Sequence, residues 1–156
     1  MEAETGENIN LAIANCDQVL LVHRVECNHV LRPNFPLNTP FPAYKTGLGM
    51  VFLAEKSKAS LEWIYENNQP NIGISLDEFI MRAKKDREAG YAFDDQLFCP
   101  GLRCIAAPIS GPGGLVMFSL SVSGPATRMD DETCQKIQKL AVKYAHIMSN
   151  EILALG

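Results

Sequence analysis

Hydrophobic and polar residues alternate along "NINLAIA", residues 8–14, with Ile9, Leu11 and Ile13 on one side and Asn8, Asn10 and Ala12 on the other. Alternation with period two predicts a half-buried strand. A turn at residues 15–17 and a second apolar run, "QVLLVHRVE", complete a hairpin. "RPNFPLNTPFP", with four prolines in eleven residues, predicts an extended loop. The pattern then turns helical. "AYKTGLGMVFLAEK" predicts a helix weakened by Gly47 and Gly49, and "KASLEWIYENN" a second, with Leu61 and Ile64 on one face. Ser75 and Glu78 have the spacing of a capping box, so a third helix runs from there to about Glu88, closed by Gly90. "YAF" is a short strand. A strand entering near Leu102 turns at "SGPGG" and returns as "LVMFSLSVS". The chain closes on a long amphipathic helix begun by Asp130 or Asp131, with Ile137, Leu140, Ala141, Tyr144 and Met148 on one face. This order predicts an α+β fold around a mainly antiparallel sheet.

The late hairpin carries the most chemical information. Ile105, Ala107 and Ile109 share one face of its first strand; Leu102, Cys104 and Ala106 share the other. In the returning strand Val116, Phe118, Leu120 and Val122 oppose Ser119, Ser121 and Ser123. Pairing the apolar faces sets Ile105 near Leu120 and Cys104 near Ser121. A row of Ser, Cys and Ala is either a plain solvent face or the wall of a small polar pocket. Solvent faces usually carry longer side chains, and small residues leave volume for a ligand.

Composition narrows the field. The 156 residues fit one domain, which at that size buries roughly 70% of its unfolded surface without staples. Charged residues make up 21%, the net charge is −4, and no basic cluster stands out, which argues against direct nucleic-acid binding by these residues. No apolar run approaches the roughly 18 residues of a membrane span, and the acidic N-terminus is unlike a secretion signal, so no membrane partner is expected. The five cysteines form no CxxC pair and are odd in number, which suggests reduced thiols and a cytoplasmic location.

Three stretches are similar to segments of one known family. "GYAFDDQLFCPGLRCIAAPI" followed by "SLSVSGPATR" resembles the effector-binding domain of IclR-family bacterial transcription regulators. "TGENINLAIANCDQVLLVHRVE" is similar to the opening hairpin of that domain, and "FPAYKTGLGMVFLA" to its "LPLHATALGKALLA" segment. The resemblance runs from about Thr5 to Leu153. It implies a GAF-like fold and one effector-binding and oligomerisation domain over residues 1–156, with the winged helix-turn-helix of full-length members absent. It further implies a site for a small organic acid or related metabolite, homodimers or homotetramers, and DNA contact only through the missing domain. Matching positions place the site at Asp94, Cys104, Leu102, Ser121 and Ser123, with the helix-start amides of Gly47 and Leu48. No cofactor, metal or enzymatic activity is implied.

The chain departs from the family pattern between residues 34 and 50. Tyr44 stands for a histidine, Lys45 for a small residue and Met50 for a lysine. Phe35, Leu37 and Phe41 lie where the family closes its pocket with apolar side chains, which favours a larger or more aromatic ligand. Lys45 is either an anion contact or an exposed side chain. Three other readings are possible: a ligand-free oligomerisation module, a cysteine-dependent enzyme using Cys99 or Cys104 with His23, His29 or His146 as base, and a metal site.

Overall fold

The two predicted hairpins form and join edge to edge. In a computed structural model describing residues 1–156, strands β1 (Asn8–Asn15), β2 (Gln18–Val25), β3 (Pro40–Pro42), β4 (Ala92–Asp95), β5 (Leu102–Ser110) and β6 (Val116–Pro125) make one sheet in the order β3-β2-β1-β6-β5-β4. Every pair is antiparallel. A one-turn helix α1 (Glu2–Thr5) precedes it. Helices α2 (Gly47–Leu53), α3 (Lys58–Asn68) and α4 (Leu76–Ala89) cover one face, and α5 (Asp131–Leu155) covers the other. The result is an α+β fold of three layers.

The α5 layer is dry. Ile9, Ile105, Ala107, Ile109, Leu120 and Val122 of the sheet meet Cys134, Ile137, Ala141 and Ala145 of the helix. Asp130 is the N-cap, its Oδ1 accepting from Thr133 N at 2.8 Å; Asp131 instead accepts from Arg103 Nη1. On the opposite layer Leu48, Met50, Val51 and Leu53 of α2 pack with Leu61 and Ile64 of α3 and Phe79 and Ala83 of α4. The capping box at Ser75 and Glu78 is present, and Gly90 ends α4 at φ 78°.

Five sequence expectations change. Ile105 pairs with Val122, not Leu120, and Cys104 with Ser123, not Ser121; Ala106 is the residue opposite Ser121. A slip of two residues leaves every side chain on its own face, so face matching fixes register only to within even steps. A one-residue bulge between Ile109 and Ser110 lies beside the turn at Pro112–Gly114. Pro40–Pro42, expected as loop, is an edge strand: only Phe41 needs to bond, and proline is tolerated at a sheet edge. The helix expected over residues 43–56 splits into a 3-10 turn, Ala43–Lys45, and α2, because Thr46 takes an extended conformation and caps Gly49 N with its hydroxyl. The strand at "YAF" runs on through Asp95 and so takes in both adjacent acids.

β1 is buried on both sides, not half-buried. Asn8 and Asn10 are 0% and 4% exposed, less than Ile9 at 8%. Asn8 is used structurally, accepting from Cys27 N at 2.9 Å and donating to Pro33 O at 2.7 Å. Ser119 lies in the same polar row, fully buried, with a hydroxyl that has no partner. A buried unpaired hydroxyl costs about 1–3 kcal/mol. Ser119→Ala is therefore expected to stabilise the fold by about 1 kcal/mol, raising the melting temperature by about 2–4 °C; calorimetry checks it.

Candidate functional site

The polar row continues from Ser119 into a cavity between the sheet and α2. Its wall comprises Asn10, Leu21, Phe35, Phe41, Thr46, Gly47, Leu48, Asp94, Phe98, Leu102, Cys104, Ser121 and Ser123. The eight positions the family resemblance singles out or that flank its pocket (Asp94, Cys104, Ser121, Ser123, Gly47, Leu48, Leu102 and Phe41) all lie on it. The period-two alternation of β5 and β6 accounts for Cys104, Ser121 and Ser123 meeting on one side. β4 adds Asp94 from directly opposite Cys104.

Each wall element has a physical cause. Gly47 lies close to the facing strands: a Cβ there would meet Cys104 Sγ at 3.4 Å and Asp94 Cβ at 3.6 Å, ordinary contact distances. The first amides of a helix have no intrahelical partner. Thr46 supplies acceptors for Gly49 N and Met50 N, which leaves those of Gly47 and Leu48 unspent at the cavity wall. Beside Gly47, Asp94, 2% exposed, accepts with Oδ1 from Leu97 N at 2.8 Å and Phe98 N at 3.4 Å. Its Oδ2 makes no hydrogen bond within the protein. Burial raises the Asp94 carboxyl above the usual range; the two amides and the Arg82 charge oppose that rise without cancelling it.

The mouth is aromatic. Phe35, Phe41 and Phe98 meet edge to face with centroids 5.1–6.0 Å apart. They leave a cavity of about 40 Å³, room for only a few non-hydrogen atoms. Phe98 was not anticipated from the sequence, nor were Asn10, Leu21 and Thr46. Asn10 had one signal in its favour, an asparagine within a strand. Leu37, expected at the mouth, is 44% exposed and off the wall. Lys45 is exposed too; its Nζ lies over the Tyr44 ring at 5.8 Å.

The thiol is not poised for chemistry. Burial, and then the neighbouring Asp94 charge, push Cys104 up to about 12. None of His23, His29 and His146 reaches the wall, so no histidine stands beside it. No three His, Cys, Asp or Glu side chains converge as a metal site requires. No helix is long and apolar enough to cross a membrane.

The fold and the cavity can be set beside known proteins. The family model for the bacterial transcriptional regulator IclR C-terminal domain matches residues 1–150. The HTH-type transcriptional repressor AllR of Salmonella typhi is 30% identical over 133 residues, 82% of this chain and 49% of the repressor. The HTH-type transcriptional regulator BhcR of Paracoccus denitrificans is 31% identical over 156 residues, 93% of this chain and 54% of that protein. The chain thus spans about half the length of these curated relatives, which are transcriptional regulators and not enzymes. Among solved structures, the C-terminal domain of the Escherichia coli regulator KdgR superposes with a TM-score of 0.81 at 25% identity, covering 97% of this chain and 90% of that one. The Thermotoga maritima IclR gives 0.86 at 21% identity, covering 96% of this chain and 62% of that one. The chain belongs to the IclR family of bacterial transcriptional regulators, and the part it matches is their C-terminal domain.

Proposed function

We propose that residues 1–156 sense a small organic-acid metabolite and that occupancy of the cavity changes the operator affinity of a longer, DNA-binding protein. The observation that carries this is the cavity wall: unspent amides at Gly47 and Leu48, the serines 121 and 123, and one free carboxylate oxygen on Asp94 converge on it. The two N–H groups hold a carboxylate. The serines and Asp94 meet the rest of the molecule. Support comes from the two free donors themselves and not from a macrodipole, since α2 has only seven residues. With about 40 Å³ free, a ligand of more than a few heavy atoms enters only as the phenylalanines separate. A ligand of about six heavy atoms has at most roughly 1.5 kcal/mol per atom to offer. Dissociation constants are therefore expected between micromolar and sub-millimolar, about 4–8 kcal/mol.

Self-association is part of the same reading. Val142, Ile147, Leu153 and Leu155 are exposed along α5, and a contact between copies would cover them. We assign DNA contact to sequence outside residues 1–156. A coupling of about 1–3 kcal/mol between the two sites would change operator affinity some 5- to 150-fold.

The test is a thermal-shift screen of small organic acids, followed by titration of each acid that raises the melting temperature. At a hundredfold excess over its dissociation constant an acid adds about 2.7 kcal/mol, roughly 5–10 °C for a chain of this size. Ser121→Ala is expected to weaken binding by about 1 kcal/mol, and to cost about 1 kcal/mol of fold stability because it removes an acceptor of the buried Asn10 amide. Cys104→Leu fills the cavity, so binding should vanish. A destabilised Cys104→Leu protein that still binds normally would place the site elsewhere.

A further inference from the structure

A charge pair on the inner side of α4 is left unmade. Phe79, Arg82, Ala83 and Asp86 fall at i, i+3, i+4 and i+7, the stripe that α4 turns toward the core. Phe79 and Ala83 are buried there, and the two charged residues share their side. Arg82 Nη2 and Asp86 Oδ2 are both buried, and neither has a hydrogen-bond partner. Residues four apart on a helix can reach one another, but here the arginine precedes the acid, the less favourable order. Asp86 also lies in the last turn of α4, where the helix dipole opposes a negative charge.

Asp86 lines a cavity of about 20 Å³, room for a single water, between α4 and the end of α2. Val51, Ala54 and Pro108 give that cavity an apolar wall. The charged and titratable groups around Asp86 are Arg82, Lys85 and Arg87 from α4, Glu55 from the chain after α2, and Tyr91 from the chain before β4; Pro108 of β5 adds none. Burial pushes the Asp86 carboxyl up to about 6, against the pull of Arg82 and then of Lys85. The uncharged acid suits this wall better than the carboxylate does.

We propose that Asp86 is a proton-operated latch between α4 and α2. Protonated, it lets α4 seat against Val51 and Ala54; ionised, it loosens that seat and with it the helix whose first residues, Gly47 and Leu48, stand at the main cavity. The latch works the same way whatever the main cavity binds.

The direction follows from linkage. An unfolded aspartate titrates near about 3.9, below the folded Asp86. The stability that Asp86 contributes is therefore full below about pH 3.9 and is lost as pH rises through about 6. Between pH 5 and pH 7 this amounts to about tenfold in the folding equilibrium constant, which partial exposure of the side chain to water reduces to about fivefold.

The test is urea unfolding of the wild-type protein and Asp86→Asn at pH 5 and pH 7. Asparagine keeps the shape and cannot ionise. Every other titrating group, Asp94 included, cancels in the ratio of the two folding constants. That ratio, wild type to variant, is expected to fall about fivefold from pH 5 to pH 7. Asp86→Leu, which completes the apolar stripe, should show the same fall, so the result does not hang on how well asparagine is tolerated. A ratio constant within about 1.5-fold for both variants overturns the proposal. A second reading is made on the folded protein by NMR. The backbone amide resonances of Gly47 and Leu48 should move with a midpoint near 6 in the wild-type protein and lose that movement in Asp86→Asn. These residues lie about 9 Å along the helix axis from Leu53, so the charge itself does not account for the movement. Resonances that hold still in the wild-type protein, or that move alike in both proteins, overturn the latch even where stability depends on Asp86.

Discussion

Arg128→Met should cost about 3–5 kcal/mol, the range for stripping one partner from a buried ion pair. Glu7 has a side chain only 4% exposed, and its two oxygens are held by Arg128 Nε at 2.6 Å and Nη2 at 2.8 Å. The pair joins the chain just before β1 to the segment between β6 and α5, 121 residues apart in sequence. Methionine keeps the apolar stem of arginine and removes the fork, so the loss is electrostatic and not one of packing. A melting temperature lower by roughly 6–20 °C at neutral pH is the expected reading. Glu7→Gln should be milder than Arg128→Met, since a neutral amide is left in place of an orphaned charge. Equal melting temperatures for Arg128→Met and the wild-type protein at pH 7 would mean that water already serves the carboxylate.

Gly49→Ala should be equally severe for a steric reason. A Cβ at position 49 would lie 2.1 Å from Ala43 O and 2.3 Å from Ala43 Cα. Those are backbone atoms of the 3-10 turn that Thr46 joins to α2, so no rotamer relieves the clash. Overpacking usually costs about 1–3 kcal/mol, and a clash against backbone belongs at or above the top of that range. Chemical denaturation measures it. The same variant should lose ligand affinity even where it remains folded, because the turn and the amides of Gly47 and Leu48 move together. Gly47→Ala offers a contrast: its new methyl meets Cys104 Sγ at an ordinary 3.4 Å, so binding should suffer more than stability.

Much of this architecture was legible because local chemistry writes it. The capping box at Ser75, the αL glycine at position 90 and the apolar stripe of α5 each need only a few neighbouring residues. Alternation in β5 and β6 was enough to place Cys104 with the two serines. Register was beyond its reach, because a slip by an even number of residues leaves the alternation unchanged. Asn10 was read as the wet side of a half-buried strand. Its role depends on β1 lying against β6, a pairing 111 residues apart, and on Arg24 reaching across from β2. Phe98 escaped for a similar reason: it follows a strand that ends at Asp95, and its place at the mouth is set when Asp94 accepts its amide. In this fold a polar row between apolar ones marked an interior surface, and the asparagines belonged to it as much as the serines.

Asp94 and Asp95 are consecutive residues of one strand, so their side chains leave the sheet in opposite directions. Asp94 faces the cavity. Asp95 accepts from Arg103 Nε at 2.8 Å, and Arg103 also donates to Met129 O at 2.8 Å and to Asp131 Oδ1 at 2.9 Å, at the first turn of α5. One short length of backbone therefore works like an axle through the sheet, with a carboxylate fixed to each end. Through Arg103, the outer of the two is tied to the base of a 25-residue helix roughly 37 Å long.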